Sequence, residues 1–269
     1  MNNDPTMLQP DWEKRIRRAR ELAAQYPAAA QVLHFYGEIA AFQKQIFDAV
    51  GREEVRADPA RPLGEQLVAS AVTSRFLALV ELVEKKGPPG LAKAAHELRQ
   101  QGPDRWRALL DSPLYGEHSD PTYPFFARAC LQPVAEYLAR DSRVQFSDYS
   151  GSSCPVCGGR PQLGVLRPEG DGGKRSLVCS QCSTEWEFRR VLCPNCAEVD
   201  HAKLPRFSAE EFPHVRVEAC DTCKRYLKSV DLTINGLAVP IVDEIAAVPL
   251  DLWAAEHGYE KIELNLMGL

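Results

Sequence analysis

Two stretches of this chain decide its fold: residues 154–182, CPVCGGRPQLGVLRPEGDGGKRSLVCSQC, and residues 193–223, CPNCAEVDHAKLPRFSAEEFPHVRVEACDTC. Each stretch begins and ends with a C-x-x-C pair, and the two pairs are 21 residues apart in the first stretch and 23 in the second. A C-x-x-C turn directs two sulfurs at one ion, and two such turns supply the four sulfurs of a tetrahedron. The spacing therefore predicts two successive β-ribbons, each closed by a four-cysteine metal site.

The predicted metal ligands are the eight cysteines of these four pairs. The first site takes Cys154, Cys157, Cys179 and Cys182, and the second takes Cys193, Cys196, Cys220 and Cys223. Since only 10 residues separate the second pair from the third, an interleaved pairing stays open. Sulfur-only tetrahedra accept either zinc or iron, so the residues alone do not identify the metal.

Other residues near the pairs have simpler interpretations. Cys130 lies in an apolar helical segment and is expected to be a core thiol. His201 and His214 are expected at the surface, because four thiols are already available, although one of them could be a substitute ligand. Trp186 is expected to be a packing residue. The charge of metal-bound thiolates is expected to be offset by nearby basic residues, namely Arg160, Arg189, Arg190, Lys224, Arg225 and Lys228.

The residues before the first pair predict a helical domain. Apolar residues recur at steps of three and four along residues 28–50 and 63–86, which is typical of amphipathic helices. Asp11 is a suitable N-cap for a helix over 12–25, and Pro27 follows its end. Shorter helices are predicted over 91–100, 104–110 and 123–140. The pattern predicts an all-α bundle of about five or six helices.

From the first pair onward, short apolar segments separated by Pro, Gly and Asn predict strands. The predicted strands cover 162–167, 175–179, 186–190, 215–218 and 227–234. A final amphipathic helix is predicted over 242–257, with Gly258 as its C-terminal cap. We therefore expect an α+β chain with an all-α helical domain (1–146), two small rubredoxin-like or zinc-ribbon modules (147–192 and 193–235), and a C-terminal helix and tail (236–269).

Composition limits the compartment and the class of partner. The first residues lack the apolar run of a secretory signal, and no stretch approaches 18 consecutive apolar residues, so we expect a cytoplasmic protein without a membrane helix. Thiols stay reduced there, which favours metal ligands over disulfides for the nine cysteines. The net charge of −5 over 269 residues argues against a general nucleic-acid coat, which needs a large basic excess.

Catalytic motifs are missing from the sequence. It contains no G-x-S-x-G, no phosphate-binding glycine loop and no convincing acid–base pair. Closed tetrathiolate sites are normally structural, because no position is left for water or substrate. We therefore expect a protein that is not an enzyme.

The cysteine pairs and the residues around them resemble the formate dehydrogenase accessory protein family, FdhE. The similar residues are 154–161 (CPVCGGRP), 177–179 (LVC), 182–186 (CSTEW), Arg189, 193–196 (CPNC), 218–223 (EACDTC), 226–228 (YLK), 243–246 (DEIA) and 258–259 (GY). The resemblance covers about residues 154–260 at the level of motifs. It implies a cytoplasmic assembly factor that binds the catalytic subunit of respiratory formate dehydrogenase. It also implies two iron ions held by the C-x-x-C cysteines in a rubredoxin-like manner, with zinc as the alternative.

Two other functions stay open on the residues alone. Paired zinc ribbons are common in proteins that bind nucleic acid, but residues 150–230 carry 12 basic and 10 acidic side chains, which is a weak positive excess. A rubredoxin-like redox protein is the other alternative, because iron would add a one-electron couple. The segment CPVCGG at 154–159 resembles a rubredoxin turn, whereas the other three pairs lack the glycine after the second cysteine.

Overall fold

The computed structural model describes residues 11–53, 56–58, 63, 70–110, 122–140, 149–170 and 172–269. Helices dominate the described residues before 149, and a sheet with two further helices follows. The arrangement confirms the predicted α+β class. None of the described helices is long and apolar enough to cross a membrane.

The amino-terminal helices confirm the predicted all-α part. Helix α1 begins as predicted, since the Asp11 carboxylate accepts a hydrogen bond from the Lys14 amide at 2.8 Å. The predicted helix over 63–86 is described from Ser70, and its residues 64–69 lie outside the described residues, as do residues 147–148 of the predicted first ribbon. The helices are α1 (Trp12–Gln25), α2 (Ala30–Arg52), α3 (Ser70–Lys86), α4 (Pro89–Gln101), α5 (Pro103–Leu110) and α6 (Thr122–Arg140).

Helix α6 contains a proline whose missing hydrogen bond is replaced by a side chain of α2. Pro133 has no N–H, so the carbonyl of Ala129 one turn earlier loses its helical partner. The Gln43 side-chain amide donates to this carbonyl at 3.1 Å and to Gln132 Oε1 at 3.2 Å. These polar contacts join α2 to α6 inside the core.

The two cysteine stretches build one continuous sheet. Its strands are β1 (Pro161–Glu169), β2 (Gly172–Cys179), β3 (Glu185–Glu187), β4 (Arg206–Ser208), β5 (Val215–Ala219), β6 (Arg225–Asp231) and β7 (Glu260–Lys261). Their order is β3-β2-β1-β6-β5-β4, with β7 beside β6. Within each ribbon the three strands are antiparallel, and β1 pairs with β6 in parallel. The second ribbon therefore lies beside the first in the same orientation, an arrangement that the sequence patterns did not predict.

Glycine permits the close approach of the two ribbons. Gly164 on β1 is paired with Ser229 on β6. A Cβ atom at Gly164 would lie 2.2 Å from Ser229 Oγ and 3.3 Å from Leu227 Cδ1. A larger residue at this position would push against the side chains of Ser229 and Leu227.

The C-terminal helical segment is present but is divided in two. Helix α7 (Pro240–Ala246) ends at Ala247, and helix α8 (Val248–Glu256) follows directly. The single predicted helix over 242–257 is thus wrong in its continuity, because Pro249 cannot donate a hydrogen bond to the preceding turn. The predicted stop at Gly258 is confirmed, since the Gly258 and Tyr259 amides donate to carbonyls of the last turn at 3.0 and 2.9 Å.

Helix α7 connects the two halves of the molecule. Val242, Ile245 and Ala246 pack in one apolar cluster with Leu22 of α1. On the same helix, Asp243 accepts hydrogen bonds from Arg18 of α1 at 2.6 and 3.0 Å, across 225 residues of sequence.

A second group of charges, between β6, β7, α7 and α8, is buried. Lys228 and Glu244 are 0% exposed. The Lys228 ammonium contacts the carboxylates of Glu244 and Asp251, and Lys261 contacts the same two carboxylates. Burial alone would raise the pKa of Glu244, but the two ammonium groups outweigh it and lower the pKa to about 2.

Candidate metal centres

The first stretch brings its four cysteine sulfurs into one cluster. Cys154 Sγ lies 3.6 Å from Cys182 Sγ, and Cys157 Sγ lies 3.3 Å from Cys179 Sγ. All four sulfurs lie within 4.8 Å of one another. The first pair therefore meets the second pair, rather than interleaving with the third or fourth.

The second stretch repeats this geometry. Cys193 Sγ lies 3.8 Å from Cys223 Sγ, and Cys196 Sγ lies 3.6 Å from Cys220 Sγ. These four sulfurs also lie within 4.8 Å of one another. The ninth cysteine, Cys130, is apart from both clusters and is fully buried in the helical core.

The distances fit a sulfur tetrahedron around one ion. With a metal–sulfur bond of about 2.3 Å, the sulfurs of a regular tetrahedron are about 3.8 Å apart. The short sulfur–sulfur distances in both clusters, 3.3 to 3.8 Å, equal this edge or are up to about 0.5 Å shorter. Each cluster can therefore hold a metal ion, and zinc and iron satisfy the donor set equally well.

All four C-x-x-C pairs adopt the same turn. The residue after the second cysteine has a positive φ in each, and these residues are Gly158 (75°), Ser183 (54°), Ala197 (63°) and Lys224 (55°). In each turn the amide of the first cysteine donates to the carbonyl five residues later, at 2.7 to 3.0 Å. The missing glycines thus do not change the turn, and three pairs form it with residues that rarely adopt this conformation.

Burial in the first cluster works against ionised thiols. It raises the pKa of the Cys179 and Cys182 thiols well above the ordinary value, whereas hydrogen bonds from the other three thiols lower the pKa of Cys154. A bound cation allows all four sulfurs to ionise together, because its charge outweighs the desolvation of the thiolates.

Helix α6 holds the second pair of the first cluster through buried side chains. Gln132 Nε2 donates to the Ser180 carbonyl at 2.7 Å. One turn later, Glu136 accepts hydrogen bonds from Ser183 Oγ at 2.6 Å and from Arg15 of α1 at 2.9 Å. Sequence reasoning missed these residues. The available signal was a pair of polar residues four positions apart in the apolar sequence of α6.

The second cluster is held by its own loops and by Tyr259, which follows helix α8. Thr222 Oγ1 donates to Glu198 Oε2 at 2.6 Å, which links the fourth pair to the third. This bond and the Asp200 amide lower the pKa of Glu198 to about 2. The Tyr259 hydroxyl donates to Asp221 at 2.7 Å, between the cysteines of the fourth pair.

Both clusters lie at one end of the sheet. Strand β1 begins just after the first cysteine pair and β6 just after the fourth, and the two strands run in parallel. Arg160, which follows the first pair, donates to Asn195 Oδ1 inside the third pair at 2.8 Å. The predicted ribbons therefore present their cysteines side by side.

Several expected neighbours of the thiolates have other partners. Of the basic residues proposed to offset thiolate charge, three lie against carboxylates instead, because the acidic C-terminal segment and the fourth pair supply closer anions. These contacts are Lys224 with Asp221, Arg225 with Glu260, and Lys228 with Asp251.

The two histidines have different environments. His201 is exposed as expected, but the expectation for His214 is wrong. His214 is buried, and its Nε2 lies 2.8 Å from the Asp243 carboxylate of α7. Trp186 is buried as predicted, and its indole N–H donates to the Gly151 carbonyl at 3.0 Å.

Comparison with known proteins gives consistent matches. Two family models match, described as "FdhE, central domain" over residues 153–190 and "FdhE, C-terminal domain" over residues 189–267. A "Protein FdhE homolog" from Aquifex aeolicus (strain VF5) is 30% identical over 273 residues, covering 97% of this chain and 96% of the relative. A "Protein FdhE homolog" from Stutzerimonas stutzeri (strain A1501) is 36% identical over 165 residues, covering 60% of this chain and 53% of the relative.

The fold is also similar to a solved structure. The crystal structure of the FdhE protein from Pseudomonas aeruginosa superimposes with a TM-score of 0.69, at 24% identity, covering 96% of this chain and 97% of that one. The superposition includes the helical half, where the sequence motifs were least specific.

Proposed function

Because this chain belongs to the FdhE family, we propose that it is a cytoplasmic, non-enzymatic accessory protein that binds the catalytic subunit of formate dehydrogenase and supports its maturation or activity. The relative from Aquifex aeolicus matches over nearly the whole of both chains, so the family relationship includes the helices as well as the ribbons.

The eight clustered cysteines hold two metal ions in this proposal. Cys154, Cys157, Cys179 and Cys182 bind the first, and Cys193, Cys196, Cys220 and Cys223 bind the second. The family resemblance favours iron, and zinc is the alternative. Bound iron would supply a one-electron couple, whereas zinc would stabilise the fold without redox chemistry.

The observation that carries a binding role is the closed form of both clusters. Four sulfurs surround each centre, which leaves no open position for water or substrate. Such sites stabilise the fold around them rather than transform a molecule. A protein partner is therefore a better fit to these centres than a small substrate.

The charges of the ribbons disfavour nucleic acid as the partner. Binding to phosphates needs cationic side chains that are free of competing anions. Eight of the twelve Lys and Arg side chains in residues 150–230 contact carboxylates, namely Arg167 with Glu185, Lys174 with Glu187, Arg175 and Arg216 with Glu218, Lys203 with Glu198, Lys224 with Asp221, Arg225 with Glu260, and Lys228 with Asp251.

Two measurements test the proposal. Tagged protein is expected to co-purify with the catalytic subunit of formate dehydrogenase, and cells that lack the protein are expected to lose formate dehydrogenase activity. A molybdenum enzyme other than formate dehydrogenase serves as the control and should keep its activity. Unchanged formate dehydrogenase activity without co-purification would contradict the proposed role.

A further inference from the structure

The two cysteine clusters share one local turn but differ in exposure. In the first, Cys154, Cys179 and Cys182 are 3%, 0% and 3% exposed, and Cys157 is half-buried. In the second, Cys196 is exposed and Cys223 is half-buried. Solutes reach the second cluster from solvent, whereas access to most sulfurs of the first requires part of the fold to open.

Opening the first cluster would disturb the helical half. Its sulfurs belong to the same apolar cluster as Trp186, Phe188 and residues of helix α6. The hydrogen bonds from Gln132 to Ser180 and from Ser183 to Glu136 must break as well. The free energy of opening therefore includes the docking of the ribbon on the helices.

Opening the second cluster disturbs less of the folded protein than opening the first. Its ties are hydrogen bonds between exposed or half-buried residues, namely Thr222 with Glu198 at 2.6 Å, Tyr259 with Asp221 at 2.7 Å, Arg160 with Asn195 at 2.8 Å, and the Asp221 amide with the Lys203 carbonyl at 2.9 Å. The loop after Cys196 is solvent-facing, and Val199 within it is 55% exposed. Small movements of surface loops are sufficient to loosen one sulfur.

We propose that the two metal centres have different roles. The first holds a permanent ion that docks the first ribbon on helix α6. The second is an exchangeable site, which takes up and releases a thiophilic metal ion at the surface through the exposed Cys196 thiolate. This division rests on the proposed binding of metal by both clusters, and it assigns metal exchange to one of them alone.

Metal release from the full-length protein tests the division. The protein is loaded with Zn²⁺ as the only metal, and a colorimetric chelator records the zinc released over time. One equivalent is expected to leave at least about tenfold faster than the other, because the rates follow the free energies of local opening.

Matched variants show which cysteine cluster releases its zinc in the fast phase and which in the slow phase. Cys196→Ser and Cys157→Ser each replace the second cysteine of the first pair in their stretch. Cys196→Ser is expected to remove the fast phase and leave the slow one. Cys157→Ser is expected to remove the slow phase and keep the fast one.

Alkylation of the wild-type protein gives the same assignment without substitutions, even where Cys157→Ser does not fold. Iodoacetamide, followed by peptide mass spectrometry, is expected to label the cysteines of 193–223 before those of 154–182. The alkylation and release experiments therefore report on the same order of opening.

The outcomes separate the two proposals. Fewer than two zinc ions bound per chain would contradict the metal role of the clusters, and the division with it. Two ions that leave in one phase, or a fast phase that belongs to 154–182, would overturn the division and leave the proposed function intact.

Discussion

The residue after the second cysteine of each pair has a left-handed backbone, yet only the first pair uses glycine there. For residues other than glycine this conformation is about 1 to 2 kcal/mol less stable than the right-handed one, because Cβ crowds the carbonyl oxygen. Ser183, Ala197 and Lys224 are held in it by the hydrogen bonds of their turns and by the clustered sulfurs.

This conformation makes two opposite substitutions informative. Gly158→Ala is expected to lower the free energy of unfolding by about 1 kcal/mol, and Ala197→Gly is expected to raise it by a similar or smaller amount. Chemical denaturation of the metal-loaded protein measures both effects.

The control for these substitutions is Gly90→Ala. Gly90 is exposed in the first turn of α4, and an added Cβ meets nothing within 4 Å. A neutral or slightly stabilising effect is expected there, because alanine favours a helix over glycine. Loss of stability in Ala197→Gly would contradict the strain argument.

At the scale of single residues, the sequence predicts which cysteines cluster together, but it predicts the burial and contacts of neighbouring residues poorly. The C-x-x-C spacing predicted both sulfur sets, because the turn and the hairpin between two turns are local structures. It could not predict that His214 is buried, since the Asp243 carboxylate that satisfies it lies 29 positions later on a different element.

Among the secondary-structure elements, the pairing of β1 with β6 is the new feature of the sheet. Gly164 leaves room for Ser229 where these strands lie side by side. Hydrophobic periodicity predicts strands and hairpins, but it contains no information on which edge of one ribbon meets the other. The predicted helix over 242–257 failed for a related reason, since its apolar pattern continues through the proline that breaks it.

The joint between the ribbons can be tested by a pair of substitutions. Gly164→Ala is expected to cost about 1 to 3 kcal/mol of unfolding free energy, because the new methyl group overpacks the contact with Ser229 and Leu227. Adding Ser229→Gly is expected to restore part of the loss by removing the hydroxymethyl group. Thermal unfolding of the single and double variants measures the loss of stability and its partial recovery. Additive losses in the double variant would show that the two residues do not meet.

For the whole molecule, the enclosed charges between β6, α7 and α8 predict how stability depends on pH. The folded protein holds the pKa of Glu244 at about 2, below its ordinary value of 4.5. A carboxyl group with a lowered pKa contributes stability above its unfolded pKa, and this contribution is lost as pH falls toward the folded value. We expect a loss of about 3 kcal/mol between pH of about 4.5 and 2 from this group.

Substitution of Glu244 isolates this contribution. Glu244→Gln is expected to lower the free energy of unfolding at neutral pH by about 3 to 5 kcal/mol. The variant is also expected to lose less stability than the wild-type protein on acidification. Glu187→Gln, which breaks an exposed contact with Lys174, is the control and is expected to change stability by less than about 1 kcal/mol. Protons also displace metal from thiolates at low pH, but this effect is common to all three proteins and cancels in the comparison. An unchanged acid dependence in Glu244→Gln would contradict the assignment.

The overall class was predictable, whereas the way in which the parts meet was not. Helical periodicity before residue 141 and short strands after residue 160 predict an α+β chain, because both patterns are local. The docking of the first cluster on α6 depends on Gln132 and Glu136, and the contact between α1 and α7 depends on residues at opposite ends of the described chain. Such contacts are specified by shape and charge in three dimensions.

The contact between Arg18 and Asp243 also has a consequence for synthesis on the ribosome. Helix α1 is synthesised before α7, and Arg18 precedes Asp243 by 225 residues, so the part of the α1 face near Leu22 that α7 covers is uncovered until α7 is made. Both cysteine stretches are complete before α7 is made, so ribbon formation can precede the closure of α1 on α7. A nascent chain that has emerged from the ribosome only as far as residues 223–240 would therefore carry all eight clustered cysteines and a partly uncovered apolar helix face, which is the kind of surface that general chaperones recognise.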